Sequence, residues 1–329
     1  MIDAAAVVGC GSIGRRHLRN LRCLGVRRVI AVDTDGQRLS AAAGDLGGLT
    51  ACSTVDEALA KGARAIIVAV PPYLHVGFAR AAVAAGADVF VEKPLSHTCD
   101  DVDVLLEQID AAGCVAAVGY NLRFHAGLVR LKALLDEGAV GAALVVRAEF
   151  GHYLPDWRPR EDYRKGYNAH KSMGGGIILD ASHELDYVTW ITGPATSVFC
   201  TAGRLSRLEI DVEDAAAITI SVGRRTVAEI HLDSIQRQYT RTCKIVGEDG
   251  TLMWDYLSGV TWLRPGRDAE HFALTPDSND MYLAEMRHFL TCVRREDTPH
   301  VDARRGAEVL KLALAAQHSA ESGRSVTLG

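Results

Sequence analysis

Along the first third of the chain, apolar residues come in short unbroken runs rather than in strict alternation. Ala4–Val8, Val29–Val32, Ala65–Val70, Asp88–Val91 and Val115–Val118 are compact, largely apolar and flanked by turn signals. Runs of this length fit parallel strands buried on both faces. Between them, Ser12–Leu24, Gln37–Leu46, Val55–Ala60, His75–Ala85 and Cys99–Ala111 are rich in Ala, Leu and Arg at helical spacing. Alternation of this kind predicts βαβ units and a doubly wound α/β sheet.

Beyond about residue 122 the pattern changes to longer, alternating strands. A helix is predicted over Phe124–Glu137, then strands over Leu144–Tyr153, Ser197–Leu205, Ala215–Val222, Thr226–Ile235, Cys243–Gly247, Thr251–Tyr256 and Val260–Arg264. Gly223-Arg224-Arg225 and Glu248-Asp249-Gly250 read as hairpin turns. Helices near Asp180–Trp190, Met281–Arg294 and Ala303–Ser319 complete the pattern. The expectation is a parallel α/β domain over residues 1–121 and a largely antiparallel α+β domain over 122–329. The C-terminal helix is free to pack back on the first. A length of 329 residues suits two domains.

Composition changes this picture little. The chain is 48% apolar and 23% charged, with a net charge of −5. Its arginine pairs are dispersed, so neither nucleic acid nor an anionic membrane is expected as a partner. None of the eight cysteines forms a C-x-x-C pair, and no Cys/His spacing suits zinc, so no metal is expected. Scattered thiols fit a reducing compartment. The N-terminus has no signal-peptide pattern, and no apolar run approaches the roughly 20 residues that span a bilayer. A soluble, cytoplasmic protein is expected.

The chemistry begins at the end of the first strand, with Gly9-Cys10-Gly11-Ser12-Ile13-Gly14. In a G-x-G-x-x-G at a strand–helix junction, the first glycine makes the turn. The second admits a pyrophosphate to the backbone, and the third lets helix pack on strand. This context makes the first domain a Rossmann domain. Asp33 ends the next strand, where a carboxylate accepts both ribose hydroxyls and repels the extra phosphate of NADP. NAD is therefore expected over NADP, a preference softened by Arg38 nearby. Glu92-Lys93-Pro94 and Val70-Pro71-Pro72-Tyr73-Leu74-His75 stand at strand ends, where α/β sheets place their ligands. Pro71, His75, Glu92 and Lys93 join Gly9, Gly11, Ser12, Ile13, Gly14 and Asp33 as the expected cofactor contacts. The peptide before Pro94 is a candidate cis bond.

In the second domain, Gly174-Gly175-Gly176 leads into a helix on which Asp180, His183, Asp186 and Tyr187 share roughly one face. An imidazole is the side chain suited to taking a proton near neutral pH. Tyr120, Asn121 and Arg123 stand at the predicted domain junction, where ligand clefts are common. The polar-aromatic stretch 152–171 carries Tyr153, Trp157, Arg158, Tyr163 and Arg164. Aromatic faces stack on sugar rings, and arginines fork onto carboxylate or phosphate. The stretch therefore reads as a substrate loop for an acidic sugar, sugar phosphate or sugar nucleotide, or equally as a subunit interface.

Taken in order, Gly-Cys-Gly-Ser-Ile-Gly-Arg-Arg-His, Val-Pro-Pro-x-x-His, Glu-Lys-Pro and Gly-Gly-Gly followed by Asp-x-x-His resemble the glucose–fructose oxidoreductase/inositol dehydrogenase/MocA family over nearly the whole chain. The resemblance implies a Rossmann domain followed by a domain on a large open, mostly antiparallel sheet. It also implies a homodimer or homotetramer that oxidises or reduces one carbinol of a sugar, sugar acid, sugar nucleotide or cyclitol with NAD(P). It makes Lys93 the family's lysine, His183 its active-site histidine and Asp180 the carboxylate partner. Asp180 and His183 stand one position closer together than in many members. Alternatives on the same scaffold are a non-catalytic NAD-binding regulator and a glycosidase that uses bound NAD without net redox change. Biliverdin-reductase-like chemistry would not call for the His183 helix.

Overall fold

The protein is described here by a computed structural model that covers residues 2–274 and 279–328. The chain forms two compact units, residues 1–121 with 278–308 and residues 122–277 with 309–329.

The first unit is an α/β sheet of six parallel strands: β1 (Ala4–Val8), β2 (Arg28–Val32), β3 (Thr50–Cys52), β4 (Ala65–Val68), β5 (Asp88–Glu92) and β6 (Ala116–Gly119). Their order is β3-β2-β1-β4-β5-β6. Helices α1 (Ser12–Cys23), α2 (Gly36–Leu46), α3 (Val55–Ala60), α4 (His75–Ala84) and α5 (Val102–Ala112) connect them. Strands β1 and β4 are buried along their whole length, as their unbroken apolar runs require. The chain reverses its winding between β1 and β4, and the crevice at such a switch point is where ligands bind in open α/β sheets. Strand β4 stops at Val68 rather than Val70, because Val70 precedes Pro71-Pro72 and proline cannot donate to a ladder. Strand β3 was not among the expected strands; three residues are too few to carry a periodic signal.

Sequence reading places the helix near Met281–Arg294 in the second domain. In the structure the helix over Asp280–Val293 belongs to the first unit. Its Met286, Phe289 and Leu290 are buried in one core with Leu18, Leu21, Val26 and Phe90, so its apolar stripe serves that core.

The second unit holds β7 (Ala143–Gly151), β8 (Ala195–Gly203), β9 (Ala215–Val222), β10 (Thr226–Asp233), β11 (Thr240–Gly247), β12 (Thr251–Asp255), β13 (Gly259–Leu263), β14 (Glu270–Ala273) and β15 (Val326–Thr327). These nine strands form one sheet in the order β14-β13-β12-β11-β7-β10-β9-β8-β15. Every pairing is antiparallel except β7 with β10. Helices α6 (Ala126–Asp136), α7 (Leu154–Trp157), α8 (Ile177–Asp180) and α9 (Ser182–Thr192) belong to this unit. Two further helices follow in the chain, α10 (Asp280–Val293) and α11 (Ala303–Ser322).

Alternation divides the sheet into two faces. On one, Val146, Ala148 and Phe150 of β7 lie opposite Ala228, Ile230 and Leu232 of β10, all buried. The opposite face carries the pairs Arg147–Glu229 and Glu149–His231, with Phe199, Val227 and Met253 exposed beside them. A groove on that face is lined by Arg147, Thr219, His231, Lys244 and Met253. Among the described residues no helix is long and apolar enough to cross a membrane.

Two buried ion pairs anchor α9. Arg123 forks onto Asp186 at 2.8 and 2.7 Å. Arg241 reaches Glu184 at 2.9 and 3.3 Å and lies 4.2 Å from the Phe150 ring centroid. Glu184 is wholly buried, so removing it strands a charge on Arg241. Glu184→Ala is expected to cost about 3–5 kcal/mol. Urea unfolding should show its midpoint lowered, and the double change Glu184→Leu with Arg241→Met should recover most of the loss. Equal midpoints for wild type and the single variant would refute this.

Candidate active site

At the end of β1, Gly9 adopts φ +96°, and a Cβ there would stand 2.5 Å from the Ala69 carbonyl oxygen at the end of β4. A side chain on Gly14 would run into the Gly9 carbonyl, so α1 packs on the strand only with glycine at that position. Gly11 differs: a Cβ there would meet nothing within 4 Å. Its small size leaves space that the protein does not fill. Helix α1 has no side-chain cap, and its first bond runs from the Arg15 amide to the Gly11 carbonyl. The amides of Ser12, Ile13 and Gly14 precede that bond and point out of the first turn, where an anion is met by backbone and dipole together. These residues fit a dinucleotide pyrophosphate.

Asp33 stands beside this cradle. Its carboxylate accepts the Cys10 amide at 2.7 Å and the Asp35 amide at 2.9 Å. These bonds fix it over the glycine turn with lone pairs to spare for a ribose diol. Arg38 lies 3.5 Å from Asp35. The buried Cys10 thiol is pushed up to about 11, by burial first and then by the Asp33 charge, so it stays protonated.

Lys93 follows β5, and its peptide to Pro94 is cis. Glu92 and His75, expected as cofactor contacts, are engaged by the protein itself. The Glu92 carboxylate lies 2.6 Å from Nε2 of the buried His17 on α1. His75 places both ring nitrogens on backbone carbonyls, Nδ1 at 2.8 Å from Pro94 and Nε2 at 2.7 Å from Val70.

In the second unit the expected single helix over Asp180–Trp190 is two. Helix α8 ends at Asp180, Ala181 leaves helical geometry (φ −99°, ψ 29°), and α9 begins at Ser182. Gly176 at φ +107° presses the start of α8 against Glu213; a Cβ there would stand 2.5 Å from Glu213 Oε1. Glu213 accepts the Ile178 amide at 3.2 Å through its side chain and the Ile177 amide at 3.1 Å through its own carbonyl. Burial first, then the nearby Asp180 charge, raise its carboxyl above the usual range. The Asp180 carboxylate accepts from Asn168 Nδ2 at 2.7 Å. The Tyr167 hydroxyl is hydrogen-bonded beside it and held far above its ordinary pKa, by burial first and then by the Asp180 charge. His183 is buried to 9% exposure on the first turn of α9.

The polar-aromatic stretch folds around a small core of its own. Leu154, Ala169, Leu208, Ile210 and Val212 form a small core against which Tyr153, Trp157 and Tyr163 pack. Trp157 Nε1 donates to the His152 carbonyl at 2.9 Å, and the Glu209 amide donates to the Tyr163 hydroxyl at 3.2 Å. Arg237 lies 3.6 Å from the Tyr153 ring centroid. Its cations are largely answered from within: Arg158 by Glu161 at 4.0 Å, Arg164 by Asp162 at 2.9 Å and Glu209 at 3.2 Å, Lys171 by Glu321 at 3.4 Å. Tyr120 and Asn121, expected to line a pocket, are 0% and 4% exposed, and Arg123 is spent on Asp186. Sequence reading missed Asn168, Tyr167 and Glu213 as the surroundings of Asp180, and missed His17 as the partner of Glu92.

Comparison with known proteins agrees with this geometry. Residues 4–120 match the oxidoreductase family with an NAD-binding Rossmann fold, and residues 128–253 match the GFO/IDH/MocA C-terminal domain. Inositol 2-dehydrogenase of Ralstonia nicotianae is 30% identical over 84% of this chain and 81% of its own. Myo-inositol 2-dehydrogenase of Thermotoga maritima is 27% identical over 98% and 97%. The crystal structure of GenD2 from gentamicin A biosynthesis, in complex with NAD, superposes with a TM-score of 0.85 at 25% identity, covering 100% of this chain and 97% of that one. Six parallel strands in Rossmann order, a glycine cradle under Asp33, an open nine-stranded sheet and these matches agree: the chain belongs to the GFO/IDH/MocA family of NAD(P)-dependent oxidoreductases.

Proposed function

We propose that the protein is an NAD-dependent dehydrogenase that oxidises a secondary alcohol of an uncharged cyclitol or sugar. The observation that carries the reading is the cradle formed by Gly9, Gly11 and Gly14 with Asp33 fixed over it, in a chain that also places Lys93 at the end of β5. Bound nicotinamide supplies the hydride acceptor for such a reaction. The chain's own groups do the rest. His183 takes the hydroxyl proton, with Asp180 as its carboxylate partner. Lys93 holds charge against the oxygen as it becomes an alkoxide.

Of the five Arg and Lys side chains in the 152–171 stretch, Arg158, Arg164 and Lys171 are each paired with a carboxylate of the chain, which leaves Arg160 and Lys165, both exposed, as its remaining cations. The inositol dehydrogenases among its relatives, together with the pairing of three of the five cations, favour a neutral polyol. Steady-state rates with myo-inositol, scyllo-inositol, glucose, glucuronate and a UDP-hexuronate test this; a kcat/KM highest for an anionic member would overturn it. Asp33 faces the ribose position, and Arg38 is drawn to Asp35. Asp33→Ala should raise the KM for NAD⁺ by about tenfold and narrow the preference over NADP⁺. An unchanged ratio of kcat/KM for the two cofactors would sink the NAD assignment.

The mixed, partly apolar open face of the nine-stranded sheet supports assembly into a homodimer or homotetramer, since a second copy covers such a face. The eight thiols, none in a disulfide, fit the cytoplasm.

A further inference from the structure

We propose that His75 is the positioning residue for Lys93: through its bond to the Pro94 carbonyl it holds the turn that aims the lysine. The inference rests on the reading of Lys93 as the group that meets the substrate oxygen.

His75 opens α4 and is 1% exposed. Its imidazole spans the loops that leave two neighbouring strands, with Nε2 on Val70 just past β4 and Nδ1 on Pro94 just past β5. Both partners are carbonyls, which only accept, so each bond requires a proton on its own ring nitrogen, and a neutral ring has one. The geometry favours the charged ring. Burial pushes the other way and is the largest influence, opposed by the two carbonyls and Glu92 and reinforced by Lys93. The strut needs only the Pro94 bond, which either form supplies.

The other side of Lys93 is held the same way. Glu92 is tied at 2.6 Å to His17, which is 0% exposed on α1. Lys93 is thus bracketed: the residue before it is fastened to one helix and the residue after it to another, each by a buried histidine. Reacting groups must be held within a fraction of an ångström, and this bracket supplies such restraint to a side chain on a turn.

The two ring nitrogens can be tested separately. Asparagine places an amide nitrogen near the Nδ1 position and can keep the bond to Pro94; glutamine places one near Nε2 and can keep only the bond to Val70. His75→Ala and His75→Gln are expected to lower kcat by about tenfold or more with KM for NAD⁺ within about threefold, while His75→Asn recovers most of kcat. In the cofactor-free protein, amide hydrogen exchange over residues 92–96 should speed up in the alanine and glutamine variants and not in the asparagine variant. Wild-type kcat and exchange in His75→Gln would overturn the proposal, as would equal impairment of the asparagine and glutamine variants. If His75→Ala does not fold, the Asn-against-Gln comparison decides alone. Lys93→Ala is run alongside. If it keeps turnover, the reading of Lys93 fails, and the exchange data still report on the bracket.

Discussion

His183→Ala is expected to lower turnover by about a hundred- to ten-thousand-fold, the usual span for loss of a general base. NADH binding, followed by calorimetry, should change little, because the cradle and Asp33 lie in the other compact unit. The site supports this. His183 sits on the first turn of α9, which Glu184–Arg241 and Asp186–Arg123 lock in place on either side. Truncating the buried imidazole removes the proposed proton acceptor without touching either ion pair. The variant should therefore fold, with a urea midpoint near wild type. His183→Asn, of similar shape but unable to take a proton at neutral pH, should be almost as slow. A His183→Asn enzyme at wild-type speed would take the base away from His183.

Lys93→Met should lower turnover by about a hundred- to a thousand-fold, the size found when one preorganised donor to a developing oxyanion is lost. Methionine keeps the aliphatic stem and removes the charge, so the turn before Pro94 is disturbed little. The loss should fall on kcat more than on KM, because the alkoxide charge exists only as the reaction proceeds. A rise in KM alone would recast Lys93 as a binding residue.

Much of the first unit was legible in the sequence because its physics is local. Gly14 is dictated by the Gly9 carbonyl within the same turn, and the glycine spacing at a strand–helix junction marks Gly9 and Gly11 with it, although Gly9 is also forced by the distant Ala69 carbonyl and Gly11 by no contact within the protein; Asp33 is marked by its place at the end of a buried run. The position of Lys93 followed from the same rule about strand ends. The surroundings of Asp180 were hidden because they come from afar: Asn168 is 12 residues upstream, and Glu213 meets Ile178 across 35 residues. No periodic pattern carries such pairings. Helical spacing also misled, since the break at Ala181 puts Asp180 and His183 on different helices. Arg123 was read as a residue of the substrate pocket from its place at the domain junction, and its ion pair with Asp186, 63 residues away, carried no signal in the sequence. Glu92 and His75 were recognised as important for their place at strand ends, but their bonds to His17 and to Val70 and Pro94 turn them inward.

The most direct test of the central claim is to incubate the wild-type enzyme with excess NAD⁺ and an uncharged cyclitol or sugar and follow NADH absorbance beside product formation. The account predicts NADH accumulating one for one with the oxidised product, at a rate about a hundredfold or more lower in Lys93→Met and His183→Ala. Product without NADH would point to a redox-neutral glycosidase. A flat trace across the panel, despite tight NAD⁺ binding, would point to a regulator; either result would contradict the dehydrogenase.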